Sequence, residues 1–298
     1  MDEEEWLARQ FEAHRGHLRA VAYRMLGSLS DADDAVQDTW LRLSHADTDE
    51  VENLGGWLTT VVARVCLNML RTRKTRGEES LDARVPDPII WRSDASNPEQ
   101  EAVLADSVSL ALLVVLDTLT PAERFVFVLH DLFGLPFDEI APMVGRTSAA
   151  ARQLASRARR RVKGAPVPAP DEDRRRQREV VDAFFAAARD GDFDALVAVL
   201  HPDATLRVDA GTAAPGASMV VRGAEDVARQ TSAGLKTSLT RPGTELQPAI
   251  VNGGAGVIVA MDGRAVTVMG FTIADGRIVE IDSIYDPARI ARIIELAD

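Results

Sequence analysis

Two stretches of this chain carry side chains whose types and spacing suit contact with phosphates and base edges. In the first, Phe137 to Lys163, seven cations (Arg146, Arg152, Arg157, Arg159, Arg160, Arg161 and Lys163) stand with no Asp or Glu between them. Ser148, Arg152, Gln153, Ser156, Arg157 and Arg160 fall on the helical face opposite Ala151, Leu154, Ala155, Ala158 and Val162. Arg and Gln pair bidentately with guanine and adenine in a major groove, and Arg also grips phosphate. The second stretch, Trp57 to Arg76, holds Arg64, Arg71, Arg73, Lys74 and Arg76, again without an acid, with Asn68 on the same polar side. A helix C-terminus draws one or two cations through its macrodipole, but not five. Solvated faces usually interleave both charge signs, so these one-signed faces are candidate nucleic-acid surfaces.

The elements that must position them are helices. Phe137, Ile140, Ala141 and Val144 form one apolar face of a short helix. Gly145 breaks it, and Thr147 or Ser148 caps the basic helix that follows, which is a helix-turn-helix pattern. In the second stretch Leu58, Val61, Val62, Val65, Leu67 and Leu70 supply a core face. Before it, the spacing predicts a helix over Trp6 to Leu26, ended by Gly27. A second helix, capped at Ser30, runs through Ala35, Val36, Trp40 and Leu43 and shows an acidic face at Asp33, Asp34, Gln37 and Asp38. Between the two basic stretches, Glu78 to Glu99 is rich in Asp, Pro and Ser and reads as an extended polar linker, with a helical segment from Glu99 to Phe133 after it. His130, with no partner ligand nearby, reads as structural.

A net charge of −12 over 298 residues argues against phosphate partners only on average, because a patch is what binds them. One cysteine, Cys66, excludes an internal disulfide framework and a Cys-rich metal site. The acidic start (Asp2 to Glu5) and the lack of a long apolar run read as a cytoplasmic protein without signal peptide or membrane span.

After Pro166, Pro168 and Pro170 the pattern changes. A helix from about Asp171 and another over Phe193 to Leu200 precede strands at Ala204 to Val208, Glu245 to Val251, Ala255 to Met261, Ala265 to Ala274 and Arg277 to Tyr285. Asp262-Gly263 and Asp275-Gly276 mark hairpins, and an amphipathic helix spans Pro287 to Leu296. Helices followed by a curved antiparallel sheet make an α+β unit. Its candidate acid–base residues are His201, Asp203, Asp209, Asp262 and Asp282. Each has a plainer explanation in a turn, hairpin or strand end, and no two share a spacing that demands one site. The expectation is a non-enzyme without metal or cofactor.

Asp31-Ala32-Asp33-Asp34-Ala35-Val36-Gln37-Asp38, then Gly56-Trp57-Leu58, the basic helix and the helix-turn-helix resemble the extracytoplasmic-function group of the sigma-70 family. Pro121-Ala122-Glu123-Arg124, Glu139-Ile140-Ala141, Gly145 and Arg157-Ala158-Arg159 are similar to that family's fourth region. The last third resembles the SnoaL-like branch of the NTF2-like fold, a cone that one subgroup of these sigma factors carries. Three subgroup motifs stand here in altered form: Val85-Pro86-Asp87-Pro88 for Trp-Leu-Pro-Glu-Pro, Asp209-Ala210-Gly211-Thr212-Ala213 for Asp-Gly-Gly-Gly-Arg, and Asp286-Pro287-Ala288-Arg289-Ile290 for Asn-Pro-Asp-Lys-Leu. Val65 replaces an Asn common in the third helix.

The resemblance implies a multidomain chain: two all-α sigma domains, the second with the helix-turn-helix, then an α+β SnoaL/NTF2-like cone. The expected boundaries are 1–77 for region 2, 78–99 for a linker, 100–164 for region 4, 165–172 for a second linker and 173–298 for the cone. It further implies that Asp34, Gln37 and Leu41 dock on core RNA polymerase. Arg64, Asn68, Arg71, Arg73, Lys74 and Arg76 would engage the −10 element, next to a loop (His45 to Asn53) that receives an unstacked base. Ser148, Arg152, Gln153, Ser156, Arg157 and Arg160 would bind the −35 element, with Arg152, Gln153, Ser156 and Arg157 in the major groove and Arg160, like Arg159 and Lys163, gripping phosphate. The partners are polymerase, promoter DNA and, within the chain, the cone acting on the sigma domains; no membrane is involved. A polymerase-independent regulator with a ligand-sensing cone is the alternative, and a SnoaL-like isomerase or cyclase with a DNA-binding appendage is a third reading.

Overall fold

The computed structural model describes residues 3–46, 51, 53–75, 83–92, 108–164, 171, 173–211, 214 and 216–295. The chain forms two compact units, one of residues 1–79 and 115–165 and one of residues 80–114 and 166–298.

The first unit is helical. α1 (Glu3–Leu26), α2 (Leu29–Leu43) and α3 (Leu54–Thr75) pack on one another through Phe11, Leu18, Met25, Leu43, Leu58 and Leu67, all buried. Phe11 and Trp40 meet with ring centroids 5.1 Å apart. The cap of α2 is Ser28 rather than Ser30. Its side chain accepts from the Asp31 amide, because Gly27, at φ 66, ends α1 and lets the next helix start ahead of the Asp cluster. Asn53 accepts from the Gly56 amide at 3.0 Å and starts α3 ahead of the expected Trp57. α4 (Leu110–Asp117), short and apolar with Leu113 and Leu116 fully buried, begins in the second unit and passes into the first at Val115.

α5 (Pro121–Phe127) opens with a capping box between Thr120 and Glu123 and runs into a π-helical turn (Val128–Leu132). α6 (Phe137–Met143) and α7 (Ser148–Gly164) form the helix-turn-helix. Gly145 turns between them at φ 65, with the Arg146 amide donating to the Ala141 carbonyl at 3.0 Å. His130 is structural: its Nδ1 donates to the Leu135 carbonyl at 2.8 Å, and its ring lies 3.8 Å from that of Phe137.

The second unit is a seven-stranded sheet with helices. Its elements are β1 (Ile90–Arg92), α8 (Arg174–Asp190), α9 (Phe193–Val199), β2 (Leu200–Asp209), β3 (Met219–Arg222), α10 (Ala224–Leu239), β4 (Thr244–Val251), β5 (Gly254–Met261), β6 (Arg264–Ala274), β7 (Arg277–Ile284) and α11 (Pro287–Glu295). The strand order is β1-β4-β5-β6-β7-β2-β3. Asn252-Gly253, Asp262-Gly263 and Asp275-Gly276 all have positive φ, as primed hairpin turns require. Phe184, Phe185 and Phe271 lock α8 onto the sheet, their centroids 5.4 to 5.9 Å apart.

Three features depart from the sequence reading. The sheet is mixed, because β2 pairs with β7 in parallel. α10 and β3 are additional elements: α10 spreads few apolar residues over sixteen, and β3 is four residues long, so neither leaves a strong periodic signal. The third departure is β1, cut from the polar linker. It pairs antiparallel with β4 in the register Ile90↔Val251, Trp91↔Ile250, Arg92↔Ala249, and Val85 and Ile90 are buried. Residues 78–82 and 93–99 of the expected linker, the expected helix over 100–107 and the proline-rich stretch 165–170 lie outside the described residues.

Candidate nucleic-acid interface

α7 buries Ala151, Leu154, Ala155 and Ala158 and leaves Arg152, Gln153, Ser156, Arg157 and Arg160 exposed. The residues of this face are not equivalent. The Arg152 guanidinium lies 5.6 Å from the Phe137 ring centroid, so the preceding helix orients it. Ser148, half-buried, donates from Oγ to the Asp138 carboxylate at 2.5 Å, and Arg159 Nε donates to Asp131 at 2.5 Å. Arg157 Nε donates to Glu123 at 3.2 Å, a carboxylate that also receives Arg161 at 3.1 Å. Burial pushes the Glu123 carboxyl up, but bonds from Thr120 together with the two arginines outweigh it and hold the group below its ordinary value. Arg157 is half exposed, so this pair is weak enough to exchange for a DNA contact while Arg161 and Thr120 keep Glu123 satisfied. Arg160 and Lys163 enter no ion pair among the described residues and project into solvent.

On α3, Arg64, Asn68 and Arg71 are exposed at i, i+4 and i+7, a single stripe. Arg73 is turned inward: it pairs with Asp31 and donates to the Leu26 carbonyl at 3.2 Å, tying α3 to the turn between α1 and α2. Val65 is buried, so this position belongs to the core. Cys66 is buried as well, and that burial pushes its thiol up to about 12, which leaves it inert. The Lys74 side chain, Arg76 and much of the loop before α3 lie outside the described residues.

The exposed face of α2 sorts its acids. Asp33 pairs with Arg19 at 2.7 Å, Asp38 with Arg42 at 3.1 Å and Asp31 with Arg73. Asp34 and Gln37 stay open to solvent, and Leu41 beside them is 51% exposed. An apolar side chain so exposed on a charged helix suits a protein partner better than it suits water.

In the second unit the five acid–base candidates are not brought together. His201 Nδ1 accepts from the Asp203 amide at 3.2 Å, which is a turn contact. Asp262 sits in its hairpin with φ 51. Asp282 accepts from Arg207 at 3.1 Å, beside a second bond from Arg207 to Glu280 at 3.0 Å. Asp209 belongs to a different cluster, with Arg289 at its centre. Arg289 Nη1 donates to Asp209 at 2.8 Å, Nε to Asp87 at 2.7 Å and Nη2 to the Val85 carbonyl at 2.5 Å. The Val85 amide in turn donates to Asp209 at 2.9 Å. Farther along, Asn252 takes the Ile89 amide at 3.0 Å and donates to the Val108 carbonyl at 3.0 Å. A side chain at Gly211, whose φ is 50, would collide with the Asp286 carboxylate.

The three altered motifs of the sequence therefore converge here, and the linker is clamped by them. Sequence reasoning misses Arg289 as a functional residue, although its place within the third motif is an available signal.

Comparison with known proteins matches residues 10–76 to the family model Sigma-70 region 2, 109–162 to Sigma-70, region 4, and 181–281 to the SnoaL-like domain. The chain is 39% identical to the ECF RNA polymerase sigma factor SigJ of Mycobacterium tuberculosis over 93% of its own length and 91% of that protein's. It is 34% identical to the probable ECF RNA polymerase sigma factor SigI of the same species, over 97% of each. The crystal structure of M. tuberculosis SigJ superposes with a TM-score of 0.72 at 36% identity, covering 95% of this chain and 98% of that one.

Proposed function

We infer, for a chain that belongs to the extracytoplasmic-function RNA polymerase sigma factors, that three exposed helix faces divide promoter-directed initiation among them. The chain directs promoter-specific transcription initiation, with core RNA polymerase and promoter DNA as partners. Its place of work is the cytoplasm, where both are found; no helix among the described residues is long and apolar enough to cross a membrane.

On α2, Asp34, Gln37 and Leu41 dock on polymerase. On α3, Arg64, Asn68 and Arg71 meet the −10 element, and Lys74 and Arg76 extend that surface; Arg73 joins them only after leaving Asp31. On α7, Ser148, Arg152, Gln153, Ser156 and Arg157 enter the −35 major groove, where the oriented Arg152 and Gln153 are best placed to read bases. Arg160 grips phosphate. The observation that carries this assignment is exposure: Ser148 apart, the described residues of these faces are open to solvent, whereas Arg73 is drawn in by Asp31 and Arg159 is half-buried against Asp131.

The second unit acts on the first through the linker. α3 and α7 both pack against α5, which places their axes within about 20 Å of each other at ordinary helix spacings. The −10 and −35 elements are about 85 Å apart along duplex DNA. The helical unit must therefore open before both contacts form, and opening it draws on the linker that joins its halves. Capture of residues 85–92 by Arg289, Asp209, Asn252 and β4 supports a restraint in cis. The cone is read as non-catalytic, since its candidate acids sit in ion pairs and turns. Run-off transcription with core polymerase tests the whole reading: Arg289→Ala should change promoter output while leaving promoter choice intact. An unchanged output would remove the restraint, and a lack of association with core polymerase would remove the docking assignment.

A further inference from the structure

The second unit holds a cavity of about 370 Å³ between α10 and the sheet. Promoter recognition makes no use of it. Its depth is apolar: Leu206 and Val208 of β2, Val259 of β5, Met269 of β6 and Leu235 of α10 line it. Met219 and Met261 add flexible thioethers that adapt to an occupant's shape. The volume lies in the range of small-molecule sites, and at about 30 Å³ per water-sized group it accepts roughly a dozen non-hydrogen atoms.

The mouth is chemically different from the depth. Arg241 is the one charged side chain among the described residues that line the cavity, and it enters no ion pair among them. Tyr285, 47% exposed, stands on the same wall as Ser283. No carboxylate and no histidine is among the described lining residues, so the wall offers a cationic ligand no counter-charge and a reaction no acid–base pair. Gly234 of α10 also lines the cavity, and a Cβ built on it meets nothing within 4 Å. A side chain added at Gly234 therefore has open space to enter.

Two cavity residues are chain neighbours of the clamp that holds the linker. Val208 precedes Asp209, which accepts from Val85 and Arg289. Tyr285 precedes Asp286, which accepts from the Arg289 amide at 3.1 Å, and the Tyr285 amide donates to the Asp209 carbonyl at 2.8 Å. Whatever presses on Val208 and Tyr285 acts on both jaws.

We propose that this cavity binds an amphipathic monocarboxylic acid, its apolar body in the depth and its carboxylate on the Arg241 guanidinium, and that occupancy resets the grip on residues 85–89. A planar fork matches a carboxylate bidentately, and one guanidinium among the described lining residues suits a single negative charge. The coupling rests on the reading that linker capture restrains the sigma domains; the binding does not.

The test uses the full-length chain without polymerase. Decanoate is titrated by calorimetry against wild type, Gly234→Phe and Arg241→Gln, with 1-decanol as the uncharged probe. Hydrogen exchange at the Val85 and Ile89 amides is followed alongside. The expected result is saturable decanoate binding that is weakened at least about tenfold by Arg241→Gln and abolished by Gly234→Phe, with decanol indifferent to Arg241→Gln. Decanoate should also shift exchange at Val85 several-fold in wild type and not in Gly234→Phe. Absence of saturable binding, equal binding by Gly234→Phe, or equal losses of decanoate and decanol in Arg241→Gln would overturn the site. Binding without any change at Val85 would overturn the coupling. Neither result bears on whether Arg289→Ala alters transcription, so failure here is distinct from failure of the restraint.

Discussion

Arg289 donates to Asp87 at 2.7 Å across a separation of 202 residues, and the same guanidinium holds Asp209 at 2.8 Å. One side chain thus ties the segment between the two sigma regions to the start of the last helix. Burial opposes its charge, while Asp87 and Asp209 favour it, and the net effect raises its pKa above the ordinary arginine value. A cation flanked by two carboxylates and a carbonyl leaves little of its hydrogen-bonding capacity unused, so it cannot be replaced by lysine without loss.

Arg289→Ala removes the guanidinium that the buried Asp87 and Asp209 share. Removing one partner of a buried pair costs about 3 kcal/mol or more. Limited proteolysis should then cut the 83–92 segment faster than in wild type, while α8 and the sheet stay protected. Equal cleavage rates would show that β1 pairing alone holds the linker.

Gln153 and Arg160 share a helix but should fail differently. Gln153→Ala should lose about 1–3 kcal/mol of discrimination, confined to one position of the −35 element. Arg160→Ala should lower transcription from all promoters alike and flatten the salt dependence. Run-off transcription on a panel of promoters substituted one base at a time separates the two.

Leu41 is half exposed and supports no core. Leu41→Ala should leave the thermal midpoint of the chain within about 1–2 °C of wild type, as surface changes do. Affinity for core polymerase, measured by native gel shift or fluorescence anisotropy, should fall by more than about 1 kcal/mol if the side chain fills a pocket on the partner. Asp38→Ala serves as the control from the same helix. Asp38 is already paired with Arg42, so its removal should have the smaller effect on affinity.

Burial pushes the Glu280 carboxyl up to about 7, with Asp282 adding to the shift and Arg207 opposing it. Its unfolded value is near 4.5. Between those two values the folded chain holds more protons than the unfolded chain. The stability contributed by the protonated group is therefore full below the unfolded value and is lost as pH rises through about 7. Compared with Glu280→Gln, the wild-type urea midpoint of the second unit should decline from about pH 5 to about pH 7.5. Parallel pH profiles would show that Glu280 stays ionised throughout.

Much of this protein is legible in its residues. Helical periodicity, Gly145 and the one-signed faces of α3 and α7 locate the helix-turn-helix and the second basic helix, because these are local patterns of period 3.6. The Asp-Gly hairpins and four long strands are legible for the same reason, at period 2. Charge alone misleads at Arg73: nothing near it in sequence announces Asp31, 42 residues away. Arg157 and Arg159 likewise meet carboxylates 34 and 28 residues distant.

Most of the elements and their chemistry can thus be read along the chain, since propensity, capping and amphipathicity act within a few residues of their cause. Which cations are free and which are spent emerges only when the elements pack. The same holds for the parallel pairing of β2 with β7, for a polar linker that becomes the edge strand of a distant sheet, and for the meeting of Val85, Asp87, Asp209 and Arg289. Long-range pairing depends on which backbone edges and buried charges are left unsatisfied once local elements have formed, and that remainder is a property of the whole fold.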